Sequence, residues 1–125
     1  MHLELLKYLG KCIVIFDYDL KLIISDPPKI LPISFGQDVV NEGEFGQLVC
    51  TVVSGDEPFK ITWSLHGDIV SSEPGLTTSQ IGTRTSMLMI NSVGHRHSGL
   101  YTCIASNKAG SVSSSTELKV NGRTL

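Results

Sequence analysis

Ser98-Gly99-Leu100-Tyr101-Thr102-Cys103 runs on into Ile104-Ala105-Ser106 and the turn Asn107-Lys108-Ala109-Gly110. The run alternates. Tyr101, Cys103 and Ala105 share one face and Thr102, Ile104 and Ser106 the other, the period of a half-buried strand. Two earlier segments carry the same period. Residues 46–53 put Leu48, Cys50 and Val52 on one face, and residues 60–66 do so with Ile61, Trp63 and Leu65. Strands are also expected over 29–34, 76–81, 85–91 (Leu88 and Ile90 inward) and 111–120 (Leu118 and Val120 inward), with a short one at Ile69-Val70. Pro32 and Gly36 break the first of these, a break that lets a strand cross from one sheet to another. Turn signals recur at the roughly 8–12-residue spacing of an all-β sandwich.

Trp63 follows Cys50 by 13 residues, and Tyr101 precedes Cys103 by two. This Cys…Trp…Tyr-x-Cys spacing is the signature of an immunoglobulin-like sandwich. The expected fold is therefore a two-sheet antiparallel β-sandwich with Greek-key topology. In that signature Cys50 and Cys103 bridge the sheets, Trp63 packs on the bridge, Leu88 fills the core, and the Tyr101 hydroxyl pins the corner before the second cysteine. A disulfide closing such a loop stabilises by roughly 4 kcal/mol on the chain-entropy model, and it persists in an oxidising compartment. A module of this kind binds surfaces and does no chemistry.

The remaining composition narrows the function by exclusion. The 125 residues suffice for one domain, expected over 26–121 with a tail at 122–125. A net charge of −2 and a pI near 6.0 give no electrostatic case for nucleic acid or an anionic membrane. No phosphate-cradling glycine loop or paired carboxylates point to an enzyme, a cofactor or a small-molecule substrate. His95-Arg96-His97 has a metal-like His-x-His spacing but lacks a third ligand nearby, so a solvated loop is expected and no metal. Three cysteines leave Cys12 as a free thiol. Residues 1–25 fit poorly. Lys7, Lys11, Asp17, Asp19 and Lys21 interrupt the apolar run, so it reads neither as a secretory leader nor as a membrane span of about 20 residues. Leu20, Leu22 and Ile24 alternate as a strand would. The segment is expected to be a fragment of a preceding domain or sequence foreign to the native chain, with a strand or helix docked on the sandwich as the alternative.

The outward faces differ between the sheets. Lys60, Thr62, Ser64, Thr102, Ile104 and Ser106 make one face mostly polar. Val49, Thr51 and Val53, beside Met87, Met89 and Asn91, make the other apolar. A contiguous exposed apolar patch marks a contact site, and methionines suit a surface that repacks. The alternative is that the N-terminal segment covers Met87 and Met89, or that they are simply tolerated there.

Residues 27–121 resemble the intermediate-set (I-set) immunoglobulin domains of cell-surface receptors. The matching pieces are Cys50, Trp63 and Cys103, Leu88-x-Ile90, residues 98–103 and Ala105-Ser106-Asn107-Lys108-Ala109-Gly110. A narrower likeness lies in Pro27-Pro28-Lys29-Ile30-Leu31-Pro32-Ile33-Ser34-Phe35-Gly36, Ile61-Thr62-Trp63-Ser64-Leu65, Arg84-Thr85-Ser86-Met87-Leu88-Met89-Ile90 and Cys103-Ile104-Ala105-Ser106-Asn107. These are similar to the alternatively spliced seventh immunoglobulin domain of the arthropod Down syndrome cell adhesion molecule (Dscam) family. The resemblance implies homophilic adhesion in neuronal self-recognition, with immune recognition as a second role in arthropods. It implies an extracellular ectodomain joined to the membrane only through other parts of a larger receptor. The partner would be a second copy, antiparallel, on the sheet bearing the apolar face. The implied contacts are Val49, Thr51, Val53, Met87, Met89 and Asn91, joined by Thr77 and Ser79. Two rival readings remain: a structural immunoglobulin domain of a giant muscle protein, and a receptor domain binding a different ligand. One position departs from the family. His97 stands where an aspartate usually pairs with a basic residue at the position of Arg84, so either Arg84 finds another carboxylate or the corner is somewhat weaker.

Overall fold

The computed structural model describes the backbone at residues 13–16 and 22–24, and backbone and side chains at 25–70 and 74–122. Two sheets face each other. One has the order β3-β5-β9-β8, from β3 (Lys29–Ile30), β5 (Gly46–Ser54), β8 (Leu76–Ile81) and β9 (Thr85–Ile90). The other has the order β4-β11-β10-β6-β7, from β4 (Val39–Asn41), β6 (Lys60–Leu65), β7 (Asp68–Ile69), β10 (Gly99–Asn107) and β11 (Gly110–Asn121). The expected sandwich is present, with one qualification. β4 runs parallel to β11, Val40 opposite Val120, so the five-stranded sheet is mixed.

That parallel strand corrects the reading of the first strand. β3 itself covers only Lys29 and Ile30, with the Leu31 N–H still donating to the Thr51 carbonyl of β5 (3.3 Å). Pro32 has no amide hydrogen to give a ladder, and the next residue, Ile33, donates its N–H to Ser114 Oγ of the other sheet (3.1 Å). The chain has already crossed by then, and it continues as β4 beside β11.

Alternation sorts the side chains as the pattern implies. Leu48, Cys50 and Val52 of β5, Leu88 and Ile90 of β9, and Tyr101, Cys103 and Ala105 of β10 are buried between the sheets with Trp63 and Leu118. Each large aliphatic chain removed from water contributes about 1.5–3 kcal/mol. Phe35 packs edge-on to Tyr101, ring centroids 5.5 Å apart, and fills the space inside Gly46, where an added Cβ would lie 3.7 Å from its ring. Ser64 does not face solvent as expected. It sits between Thr102 of β10 and Ile69 of β7 and is buried, because a short side chain in mid-sheet is shadowed by its larger neighbours.

β1 (Ile13–Phe16) and β2 (Leu22–Ser25) pair with each other as a separate antiparallel hairpin, Ile13 opposite Ser25. Cys12, Lys7, Lys11 and the acidic residues 17 and 19 lie outside the described residues, as does most of the expected atypical segment. The strand expected around Leu22 and Ile24 is β2. The chain enters the sandwich through a tightly held joint. Asp26 donates its N–H to Asp56 Oδ2 (2.9 Å), and its carbonyl accepts from Asn107 Nδ2 (2.6 Å). Asn107 Oδ1 meanwhile accepts from the amides of Ala109 and Gly110, closing the β10–β11 turn.

Candidate functional site

The core signature residues come together as expected. Cys50 and Cys103 are joined by a disulfide, Cα atoms 6.4 Å apart. Trp63 is buried against the strand carrying Cys103, its direct partner in register. The Tyr101 hydroxyl donates to the His97 carbonyl (2.5 Å), pinning the corner.

Within His95-Arg96-His97, His95 and Arg96 are exposed, as a solvated loop implies, and His97 departs from that expectation. The three residues form one 3-10 turn, with His97 only 2% exposed. The His97 Nδ1 accepts the Gly94 N–H (2.9 Å). A ring nitrogen that accepts carries no proton, so Nε2 is the protonated nitrogen and lies 3.2 Å from the Pro74 carbonyl. The Arg96 Nε, 3.4 Å from that same nitrogen, cannot then be a hydrogen bond to it. The ring's function is to tie two loops together. Arg84 has found other partners, with Nε 3.8 Å from Glu57 Oε1 and its guanidinium over the Phe59 ring, 5.1 Å from the centroid. Both members of the ion pair are well exposed, so it adds at most about 1 kcal/mol.

A cleft of about 450 Å³ lies between Glu42, Gly43 and the 92–97 segment. Of its ionisable groups, His95 has Nε2 3.9 Å from Glu42 Oε2, His97 is committed as above, and Arg96 also lines the cleft. Among the described residues no group of three His, Cys, Asp or Glu side chains could hold a metal ion. Among the same residues no helix is long and apolar enough to cross a membrane.

The outer face of the four-stranded sheet is organised in rows across its strands. Val49, Met87 and Ser79 are direct partners in one row. Gln47, Met89 and Thr77 form the next row on one side, and Thr51, Thr85 and Ile81 the next on the other. Val53 extends β5 beyond Thr51. Asn91 follows β9 at the opposite end, level with Phe45 by continuation of the Gly46–Ile90 pairing. All eight residues expected at the contact therefore fall on this face. Their exposure is uneven. Val49 and Val53 are 39% and 46% exposed, whereas Met87 and Met89 are half-buried rather than fully open. β9 is an inner strand, and its long side chains lie between the rows of β5 and β8.

The face also holds residues that the sequence reading passed over: Gln47, Thr85 and Ile81 in the rows, Phe45 just beyond them, and Leu31 at the β3 edge. Of the eight large apolar side chains left exposed among the described residues, Leu31, Phe45, Val49, Val53 and Ile81 are on or beside this face. Apolar exposure is thus concentrated on one sheet. Continuing the alternation of β5 one residue before its start finds Phe45, and β8 alternation finds Ile81. No charged side chain stands in the three rows.

A family model described as "Immunoglobulin domain" matches residues 27–107. The chain is 41% identical over 103 residues to the cell adhesion molecule Dscam1 of Drosophila melanogaster, a match that covers 82% of this chain and 5% of that protein. It is 40% identical over 97 residues to the cell adhesion molecule DSCAML1 of Mus musculus, covering 78% of this chain and again 5% of the relative. The match to these curated relatives is therefore to a small part of much longer proteins. Among solved structures, the crystal structure of the Dscam1 Ig7 domain, isoform 5, superimposes with a TM-score of 0.73 at 45% identity, covering 76% of this chain and 97% of that one.

Proposed function

The chain belongs to the immunoglobulin-domain family as a relative of the seventh immunoglobulin domain of Dscam1, and from that premise we propose that it is a homophilic recognition domain in the extracellular part of a cell-surface adhesion receptor. The observation that carries the proposal is the outer face of the β3-β5-β9-β8 sheet. It is uncharged in its three central rows and holds most of the exposed large apolar side chains. A patch of this kind favours a protein partner over solvent. A second copy suits it because the three central rows carry no charge with which to repel their counterparts. The candidate contacts are Val49, Thr51, Val53, Thr77, Ser79, Met87, Met89 and Asn91, with Gln47, Thr85, Ile81 and Phe45 added from the row geometry. The relatives are cell adhesion molecules by name, which agrees with a surface whose task is contact rather than turnover.

Sedimentation velocity on the full chain, with Cys12 replaced by serine to prevent disulfide dimers, tests the proposal over a wide concentration range. The expected result is a concentration-dependent dimer. Met87→Asp with Met89→Asp removes that dimer and keeps the β-sheet circular dichroism of the parent. A strict monomer at high concentration, or a dimer indifferent to the double substitution, overturns the assignment.

A further inference from the structure

We propose that the edge of β8 and the mouth of the sandwich beside it form a binding site for an uncharged, extended segment of a different protein, which joins β8 as an added strand. The site is separate from the outer face of the sheet, and it goes beyond the self-pairing reading.

Four strands end the two sheets: β3, β8, β4 and β7. β3 and β7 have two residues each and β4 has three, whereas β8 has six. The N–H and C=O groups of a strand alternate between its two edges, so half of those of β8 turn toward β9 and half turn away. Proteins commonly guard an edge of that length with lysine, proline, a bulge or a covering segment. β8 reads Leu76-Thr77-Thr78-Ser79-Gln80-Ile81, with neither charge nor proline. Its pairing with β9 runs through all six residues without a shift of register, so no bulge turns the edge aside.

The interior side of β8 is open as well. Thr78 and Gln80 lie opposite Leu88 and Ser86, and opposite partners in an antiparallel pair share a face. Leu88 and Ser86 are buried between the sheets, whereas Thr78 and Gln80 are exposed. The other sheet stops short of them, since its last strand, β7, is only two residues long. The space left is a cavity of about 220 Å³, with Thr78 and Gln80 on one side and Ile61, Trp63, Ile69 and Val70 on the other. Ile69 stands 72% exposed there. Among the described residues that line this mouth none is charged.

These features define the occupant. A row of amides and carbonyls at strand spacing is matched by another backbone, lying about 4.8 Å from β8. Side chains on one face of the added strand then point into the mouth. Ile69 and Val70 favour an apolar one, and an ionised one would lose its water without gaining a counter-charge. Backbone bonds hold the segment, and the mouth selects its sequence. A second copy of β8 would bring only threonine and glutamine to the mouth, so a segment of a different protein fits better.

The test uses the full chain carrying Cys12→Ser, isotope-labelled and followed by amide NMR at a concentration where it sediments as a monomer. The probe is the capped peptide acetyl-Thr-Val-Thr-Val-Thr-amide. Saturable shifts are expected at the amides of residues 77–81 and at the indole N–H of Trp63, the chain's single tryptophan. The same peptide N-methylated throughout has no donors for a ladder and is expected to leave those signals unmoved. Thr78→Lys places a charge at the mouth and is expected to abolish binding. Ile69→Ala is expected to weaken it about tenfold, and Leu100→Ala, on the outer face of the other sheet, to change nothing. Positions 69 and 78 are exposed, and each variant is checked for parental thermal unfolding. The proposal is overturned by the absence of saturable shifts, by equal shifts with the N-methylated peptide, or by binding indifferent to both Thr78→Lys and Ile69→Ala. A self-dimer that survives Met87→Asp with Met89→Asp but is lost on Thr78→Lys would give the edge to a second copy and overturn it too. Because the peptide titration is made on the monomer, its outcome is read separately from that of the outer-face dimer.

Discussion

The indole N–H of Trp63 on β6 donates to the hydroxyl of Ser86 on β9, 2.9 Å away and buried, so the two sheets are joined by a hydrogen bond as well as by the disulfide. The two links are neighbours. Ser86 is the direct partner of Cys50 in one sheet, and Trp63 is the direct partner of Cys103 in the other. The tryptophan therefore has two tasks. It fills volume against the bridge, and it satisfies a buried serine that would otherwise be an isolated polar group.

The two tasks separate by substitution. Ser86→Ala leaves the indole N–H without its acceptor and is expected to cost about 1–3 kcal/mol. Trp63→Ala also opens a cavity and is expected to cost about 3–5 kcal/mol. Urea unfolding of both variants and of the double variant measures the coupling. A double variant whose loss equals the sum of the two singles would mean that the hydrogen bond contributes nothing.

Tyr101→Phe tests the corner. The hydroxyl is buried and donates to the His97 carbonyl four residues upstream, at the end of a 3-10 turn whose own histidine ring is tied to Gly94 and Pro74. Removing the hydroxyl alone is expected to destabilise by about 1–2 kcal/mol, chiefly by leaving the carbonyl unpaired. Hydrogen exchange is expected to rise most at Ser98 and His97, whose amides close the turn. Unchanged exchange there would show that the turn is held without the tyrosine.

The sandwich was legible because its signals are local or tied to fixed spacings: alternation in β5, β6, β9 and β10, and the Cys50, Trp63, Tyr101 and Cys103 frame. Other features depend on which strands become neighbours. Val39–Asn41 is short and lies alone between Gly36 and Gly43 in the sequence, so only its pairing with β11 reveals it. The burial of Ser64 comes from strands on both sides, and that of His97 from Pro74, 23 residues away. For the outer face of the four-stranded sheet the direction of side chains was readable, whereas its extent emerges only when alternation is carried past the strand ends and into β8. Phe45 lies before β5 begins, and Ile81 belongs to a strand that otherwise reads as polar.

Opening the disulfide is expected to lower stability without abolishing the sandwich pattern in the reduced chain. Cys50 and Cys103 are 53 residues apart, which places the expected loss near roughly 4 kcal/mol by loop entropy. Urea unfolding with and without reductant measures it. Both sulfurs are buried, so reduction is expected to be slow until the domain opens. Rapid reduction of the folded chain, followed by fast thiol labelling, would contradict the enclosed position.

The entry joint makes the most local prediction. Gly55 has φ +117°, and a Cβ placed on it would lie 2.8 Å from the Pro27 carbonyl oxygen and 2.8 Å from the Pro28 Cα. Both obstacles are backbone. That backbone has little freedom to move, since Asp26 next to it is held by the Asp56 carboxylate and by the Asn107 amide. Gly36 offers the control, at φ +85° with nothing within 4 Å of an added Cβ. Gly36→Ala is expected to cost about 1–2 kcal/mol, the ordinary penalty for a side chain in left-handed backbone. Gly55→Ala carries that penalty and the displacement of the entry segment together, so its loss is expected to exceed the control's by about 1–3 kcal/mol. The comparison is read from urea midpoints at an unchanged slope. Equal midpoints would mean that residues 26–28 give way freely, and that the hydrogen bonds at Asp26 do not hold the chain's entry in place.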